Sequence, residues 1–266
     1  MRPQVQTQIA WPRPGKVIIG LIVANVVAYV LQLILLRANQ GWVVDLYLSP
    51  AGIFERGQVW QLVTHGFLHS PQDVFHLIFN MLWLWLFGSR LEKWWGEKRF
   101  LWAYFVFLLG GAALTLLVGL LSKTAVLSPL LPSFWVRPHL GASGAVMGVV
   151  ASWGLVYANE EMHFFLLGRM KGKTFVLIII AIELLRALSF DGVSSTSHFG
   201  GMLAGLVLCR GLWRPSKWQE IFRRARLQKQ RRRVEHELKV LEGGKGTRGP
   251  DGPPKGPDPK DPKYWN

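Results

Sequence analysis

Apolar residues fall along this chain in blocks close to bilayer-spanning length, separated by short charged or Gly/Pro-rich stretches. A hydrocarbon core of about 30 Å needs about 20 apolar helical residues, and fewer where neighbouring helices shield a span. Six blocks fit. The first runs from about Lys16 to Leu36, the second from about Phe75 to Phe87, and the third from about Phe100 to Leu121. The fourth covers about Ser143 to Tyr157, the fifth Lys173 to Leu188, and the sixth His198 to Leu212. This pattern predicts an all-α fold, a polytopic membrane bundle of six transmembrane helices over residues 16–212. Several blocks are shorter than a lipid-bathed helix requires, so a compact bundle with local bilayer thinning is expected.

The stretches between the blocks complete the domain plan. Residues 1–15 are polar and Pro-containing and read as a cytoplasmic segment. The first block is too long for the apolar core of a signal peptide, so no cleavable leader is expected. The connection from Arg37 to about Val74 carries Pro50, Gly52 and Trp60 and is too aromatic for a disordered linker, which puts it at the membrane surface. Beyond the sixth block, residues 213–242 read as a basic, partly amphipathic helix, with Trp218, Phe222, Leu227 and Leu238 among Arg and Lys. Residues 243–266 are rich in Gly, Pro, Lys and Asp and are expected to be disordered.

Charge adds the orientation. Arg2, Arg13 and Lys16 precede the first block, Arg90, Lys93, Lys98 and Arg99 join the second to the third, and Arg169, Lys171 and Lys173 join the fourth to the fifth. The alternate connections hold fewer cations, so the positive-inside tendency places both termini in the cytoplasm, with a bacterial inner membrane as the default setting. The net charge of +15 is concentrated after the last block. That arrangement fits a tail beside anionic lipid and argues against a nucleic-acid partner. Cys209 is the single cysteine and forms no internal disulfide. His65 and His69 have a metal-compatible spacing but no third ligand, so neither metal nor cofactor is expected.

Polar residues at three block starts carry candidate chemistry. Gly141-Ala142-Ser143-Gly144 opens the fourth block, where free backbone N–H groups converge. Alone, this motif reads more readily as an N-cap serine beside small packing residues. His198 opens the sixth block and shares a helical face with Gly201 and Gly205, matching Gly144 and Gly148 in the fourth. Glycine stripes let two helices approach closely, which would bring a serine Oγ and an imidazole within reach. His76 and Asn80, four apart, share a face of the second block, and each can donate to a developing oxyanion or simply bond between helices. With the amino terminus inside, even-numbered helices run inward, so His76, Ser143 and His198 all fall at the outer end. That coincidence points to one site.

The order of these motifs resembles the rhomboid intramembrane proteases over about Val59 to Leu212. The matching stretches are Thr64-His65-Gly66-Phe67-Leu68-His69, His76-Leu77-Ile78-Phe79-Asn80, Leu91-Glu92-Lys93-Trp94-Trp95-Gly96, Gly141-Ala142-Ser143-Gly144, and His198-Phe199-Gly200-Gly201 with Gly205. The resemblance implies a Ser143–His198 dyad and an oxyanion site made by the Ser143 amide with His76 and Asn80. It assigns Glu92 and Gly96 to a structural motif after the second helix. Two positions depart from the family pattern. Trp60-Gln61 stands where Trp-Arg is common, removing a charged anchor from the first loop. Met147 stands where relatives often carry an aromatic residue against the histidine. A thioether can still contact an imidazole, so altered packing is expected.

The resulting expectation is a serine endopeptidase that cleaves membrane-protein helices near the outer face of the membrane. Its substrates should unwind easily, because a helix hides its carbonyls in internal hydrogen bonds. Asp73 and Asp191 are the acids nearest the three helix starts, and neither suits a triad. Glu183 and Arg186, three apart in the fifth block, are expected to pair with each other. The alternative is a catalytically inactive rhomboid-like protein that binds or chaperones membrane helices.

Overall fold

The computed structural model describes residues 12–131, 133–164, 168–188 and 195–210, together with residues 226, 227 and 230. The basic helix expected over residues 213–242 lies almost entirely outside the described residues, as do the tail, Asp191 and the end of the sixth block. The helices of the bundle all belong to one unit, which ends at Gly211.

Helix α1 (Lys16–Arg37) turns the amphipathic pattern of a water-soluble helix inside out. Its buried residues include the polar Asn25 and Gln32, whereas Val23, Val27, Leu31 and Ile34 are exposed. That is the pattern of a helix whose outer face meets lipid, where polar groups must find partners inside the protein. Gln32 does so by donating to the His69 carbonyl at 2.8 Å and to the Tyr47 hydroxyl at 3.0 Å.

The first connection folds into short pieces. Helix α2 (Pro50–Phe54) has Ser49 as N-cap, accepting from the Gly52 N–H, and Pro50 at its first position, where a missing N–H costs nothing. Helix α3 (Gln61–Thr64) continues into a tight turn over His65–Phe67. Gln61 stands where the family often has a cation, and it does the tying with a neutral amide. Its oxygen accepts from the Ser49 N–H, and its nitrogen donates to the Asp45 carbonyl and the Gln58 side chain. The side chain is fully buried, a setting that suits an amide better than an unpaired charge.

Helix α4 (Val74–Trp83) starts at Asp73, whose carboxylate accepts from the Phe75 N–H. It runs through a wider turn at Leu84–Gly88 into α5 (Ser89–Trp95). The second block therefore extends beyond Phe87 and takes in Arg90 and Lys93, which the apolar pattern assigned to a connection. Arg, Leu, Glu and Lys are good helix formers, so helix propensity continues where hydropathy stops. Gly96 ends the run with φ +82°, a conformation that favours glycine, and α6 (Glu97–Leu121) begins at once. The buried Glu92 carboxylate accepts from the N–H groups of Val17 and Ile18 at 3.0 and 3.2 Å. It thereby caps α1 from across the bundle and complements the positive end of that helix.

Helix α7 (Ser143–Val156) is buried over nearly its whole length. An antiparallel hairpin follows, β1 (Glu161–Phe164) against β2 (Gly168–Lys171), paired from Glu161–Lys171 to Phe164–Gly168. The all-α expectation did not include it. Helices α8 (Gly172–Leu188) and α9 (Ser195–Cys209) complete the bundle, α9 starting one residue triplet before the expected His198. The segments Lys16–Arg37, Val74–Trp95 and Glu97–Leu121 are long and apolar enough to cross a membrane, and α7 is a shorter apolar helix.

Helices α6, α7 and α9 pack most extensively on one another. Glycine makes this possible. A methyl group added at Gly201 would overlap the Gly144 carbonyl oxygen, and one at Gly205 would lie 2.5 Å from the Gly148 oxygen. On the α6 side, a methyl at Gly111 would lie 2.8 Å from the Ser197 carbonyl oxygen. Backbone meets backbone on both faces of α9, which removing the side chain permits.

Candidate active site

The starts of α4, α7 and α9 converge at one end of the bundle around a cavity of about 250 Å³. Its lining includes Ser70, His76, His139, Gly141, Ser143 and Ser197. Ser143 is the first residue of α7, so its N–H belongs to the first turn and has no intrahelical acceptor. The preceding Gly141 has φ +127°, and its N–H donates to the His65 carbonyl at 2.9 Å. This bond fixes the approach to the helix. A methyl group at Gly141 would stand 2.9 Å from the His76 ring and 3.5 Å from Ser143 Oγ, so that ring and that hydroxyl face the same small space.

His76 occupies the first turn of α4. Its Nδ1 accepts from the Ser70 N–H at 3.4 Å, a long bond that is consistent with the hydrogen residing on Nε2. The His69 ring packs edge-on against it, with centroids 5.1 Å apart. Asn80, one turn further, is buried, and its amide donates to the His76 carbonyl at 2.7 Å. It does not line the cavity as His76 does.

His198 lies in the first turn of α9, one turn before Gly201. Ser143 is adjacent to Gly144 and His198 to Ser197, and a methyl group at Gly144 would lie 3.2 Å from the Ser197 carbonyl oxygen. The serine and the histidine therefore each adjoin one side of a close contact between their helices. The His198 ring is buried, and among the described residues its Nε2 has no hydrogen-bond partner. Its Nδ1 lies 2.7 Å from Glu183 Oε2. This corrects the reading that no carboxylate is placed to orient His198. Glu183 does sit near Arg186, at 3.6 Å, but its shorter contact is with the histidine on the neighbouring helix. The sequence held one signal for it, an acid in the middle of an apolar helix, which by default marks function.

The other flagged residues, and His139 of the cavity lining, take structural places. Asp73 caps α4. His65 Nδ1 donates to the Gln61 carbonyl at 2.7 Å, and burial lowers its pKa to about 4. Burial, with a smaller contribution from His76, lowers His69 to about 3. Both are neutral at pH 7. His139 pairs with Leu48 through backbone bonds that tie the first connection to the loop before α7. Met147 is buried within α7. Among the described residues no group of three or more His, Cys, Asp or Glu is arranged to hold a metal ion.

A family model for the Rhomboid domain matches residues 56–215. The chain is 29% identical over 204 residues to Rhomboid-like protease 3 of Toxoplasma gondii, covering 75% of this chain and 69% of that protein. It is 29% identical over 168 residues to Rhomboid protease GluP of Bacillus subtilis, covering 61% of this chain and 28% of that longer protein. It is 24% identical over 194 residues to Rhomboid protease GlpG of Haemophilus influenzae, covering 73% of this chain and 88% of that protein.

Proposed function

This chain belongs to the rhomboid family, and from that premise we propose that it is an intramembrane serine endopeptidase acting on transmembrane helices of other proteins. Ser143 is the nucleophile and His198 the general base. The observation that carries the reading is the convergence of three helix starts on one polar cavity lined by His76, Ser143 and Ser197, with the next residue, His198, holding a buried Nε2 that lacks a hydrogen-bond partner among the described residues.

In the proposed reaction the Ser143 hydroxyl proton passes to His198 Nε2 as Oγ bonds to a substrate carbonyl carbon. The negative charge moves to the carbonyl oxygen, where the Ser143 N–H and the His76 ring are suited to receive it, with Asn80 behind them. The C–N bond then breaks, and His198 returns its proton to the leaving amine. Water hydrolyses the ester by the reverse sequence. Hydrolysis within a membrane requires a wet, polar recess, and the cavity supplies polar walls where lipid supplies none.

In the same reading α1, α4 with α5, α6, α7, α8 and α9 make six spans in an integral membrane protein. Cationic residues favour both termini in the cytoplasm and the site near the outer face, and the composition of the basic tail suits anionic lipid. The test is cleavage of a labelled transmembrane substrate with helix-breaking residues by the purified full chain in proteoliposomes. Wild type should cleave, and Ser143→Ala and His198→Ala should not. Equal cleavage by all three overturns the proposal. Binding without cleavage by wild type, across a panel of such substrates, would instead favour the inactive helix-binding alternative.

A further inference from the structure

Resting on that proteolytic reading, we infer that Glu183 is a positioning residue for the reaction, holding the tautomer and orientation of His198 through Nδ1. A carboxylate oxygen 2.7 Å from an imidazole nitrogen accepts a hydrogen bond, so the hydrogen resides on Nδ1. In the neutral ring this leaves the lone pair on Nε2. That atom is buried and has no hydrogen-bond partner among the described residues. The contact thus selects the tautomer a general base needs and restrains rotation of the ring.

Charge gives Glu183 a second effect. When His198 takes the serine proton it becomes a cation, and a carboxylate already in place stabilises it without reorganisation. Both side chains are nearly inaccessible, 6% and 5% exposed, so water screens their interaction weakly. Arg186 approaches the other carboxylate oxygen at 3.6 Å, a longer contact than the one to His198, and its side chain is 61% exposed. A buried acid serving only to pack α8 would be a poor choice, because an apolar residue of similar size avoids the desolvation cost. Its cross-helix partner is the residue that the reaction protonates.

The test compares the full chain with Glu183→Gln, which is nearly isosteric, and Glu183→Ala, in proteoliposomes with one substrate. In a soluble serine–histidine–carboxylate triad, changing the carboxylate to an amide costs roughly 10⁴ in kcat, which sets a ceiling. For Glu183→Gln we expect a fall in kcat of about 10² or more, with KM and melting temperature held at wild-type values. Wild-type kcat in the Gln variant overturns the inference. So does a kcat loss in both variants that merely follows loss of folded protein, which would make Glu183 a structural residue. Ser143→Ala, run in parallel, separates the two ideas: if it cleaves like wild type, the proteolytic reading fails whatever Glu183 does.

Discussion

Replacing Gly201 with alanine puts a methyl group where α7 and α9 have no room for one. The new carbon would overlap the Gly144 carbonyl oxygen and stand 2.7 Å from its carbon and 3.3 Å from Gly144 Cα. All three are backbone atoms of a buried helix, so no side-chain rotation relieves the clash. Close C···O contacts in proteins lie at about 3.3–3.6 Å. By that measure α9 must retreat from α7 by on the order of 1 Å. Overpacking of this kind costs about 1–3 kcal/mol, a large part of the roughly 5–15 kcal/mol that holds a fold together. At about 2–4 °C per kcal/mol for a protein of this size, the melting temperature should fall by roughly 2–12 °C. His198 is one turn from Gly201 and moves with it, and a misplacement of about 1 Å can cost roughly 10² in rate. The control is Gly20→Ala in α1, where a methyl group meets nothing within 4 Å among the described residues. There the loss of a helix-interior glycine should stabilise by about 0.5–1 kcal/mol. Thermal unfolding in detergent and substrate cleavage in proteoliposomes read both effects. A Gly201→Ala protein with wild-type melting temperature and kcat would refute the close packing of α7 against α9.

Two further outcomes rest on buried polar contacts. Glu92→Ala strips the cap from α1 and leaves the Val17 and Ile18 N–H groups without their acceptor; charge-assisted bonds are worth about 1.5–3 kcal/mol each, so the melting temperature should drop by several degrees, and an unchanged value would exclude the capping role. His65 and His69 tie their depressed pKa values to stability: each binds its proton more readily when unfolded, so their contribution is complete above pH 6.5 and is lost as pH falls towards about 4 and about 3. For His65 the difference between 6.5 and about 4 is worth roughly 3 kcal/mol, and His65→Gln should flatten the melting temperature between pH 7 and 4.5; an equally steep decline in that variant would show that other groups govern it.

The apolar blocks predicted where the long helices begin and end to within a few residues, except between the second and third. There Arg90 and Lys93 interrupted hydropathy without interrupting the helix, and the break came at Gly96. The hairpin at 161–171 escaped notice because two four-residue strands are too short for a periodic signal. Gln61 was visible as a missing charge, but its three bonds to the surrounding loop were not.

Sequence by itself determined the family, the helix-forming blocks, and the presence of Ser143, His76 and His198 at helix starts with glycine stripes beneath two of them. Such features are local: period 3.6 and the chemistry of a helix end are written in neighbouring residues. Tertiary structure alone decided that Glu92 caps a helix 75 residues away and that Glu183 turns to His198 as well as to Arg186. Those choices depend on how each helix is rotated about its axis and which neighbour it meets. Periodicity within one helix states which face is apolar, but it does not state what stands opposite a buried charge.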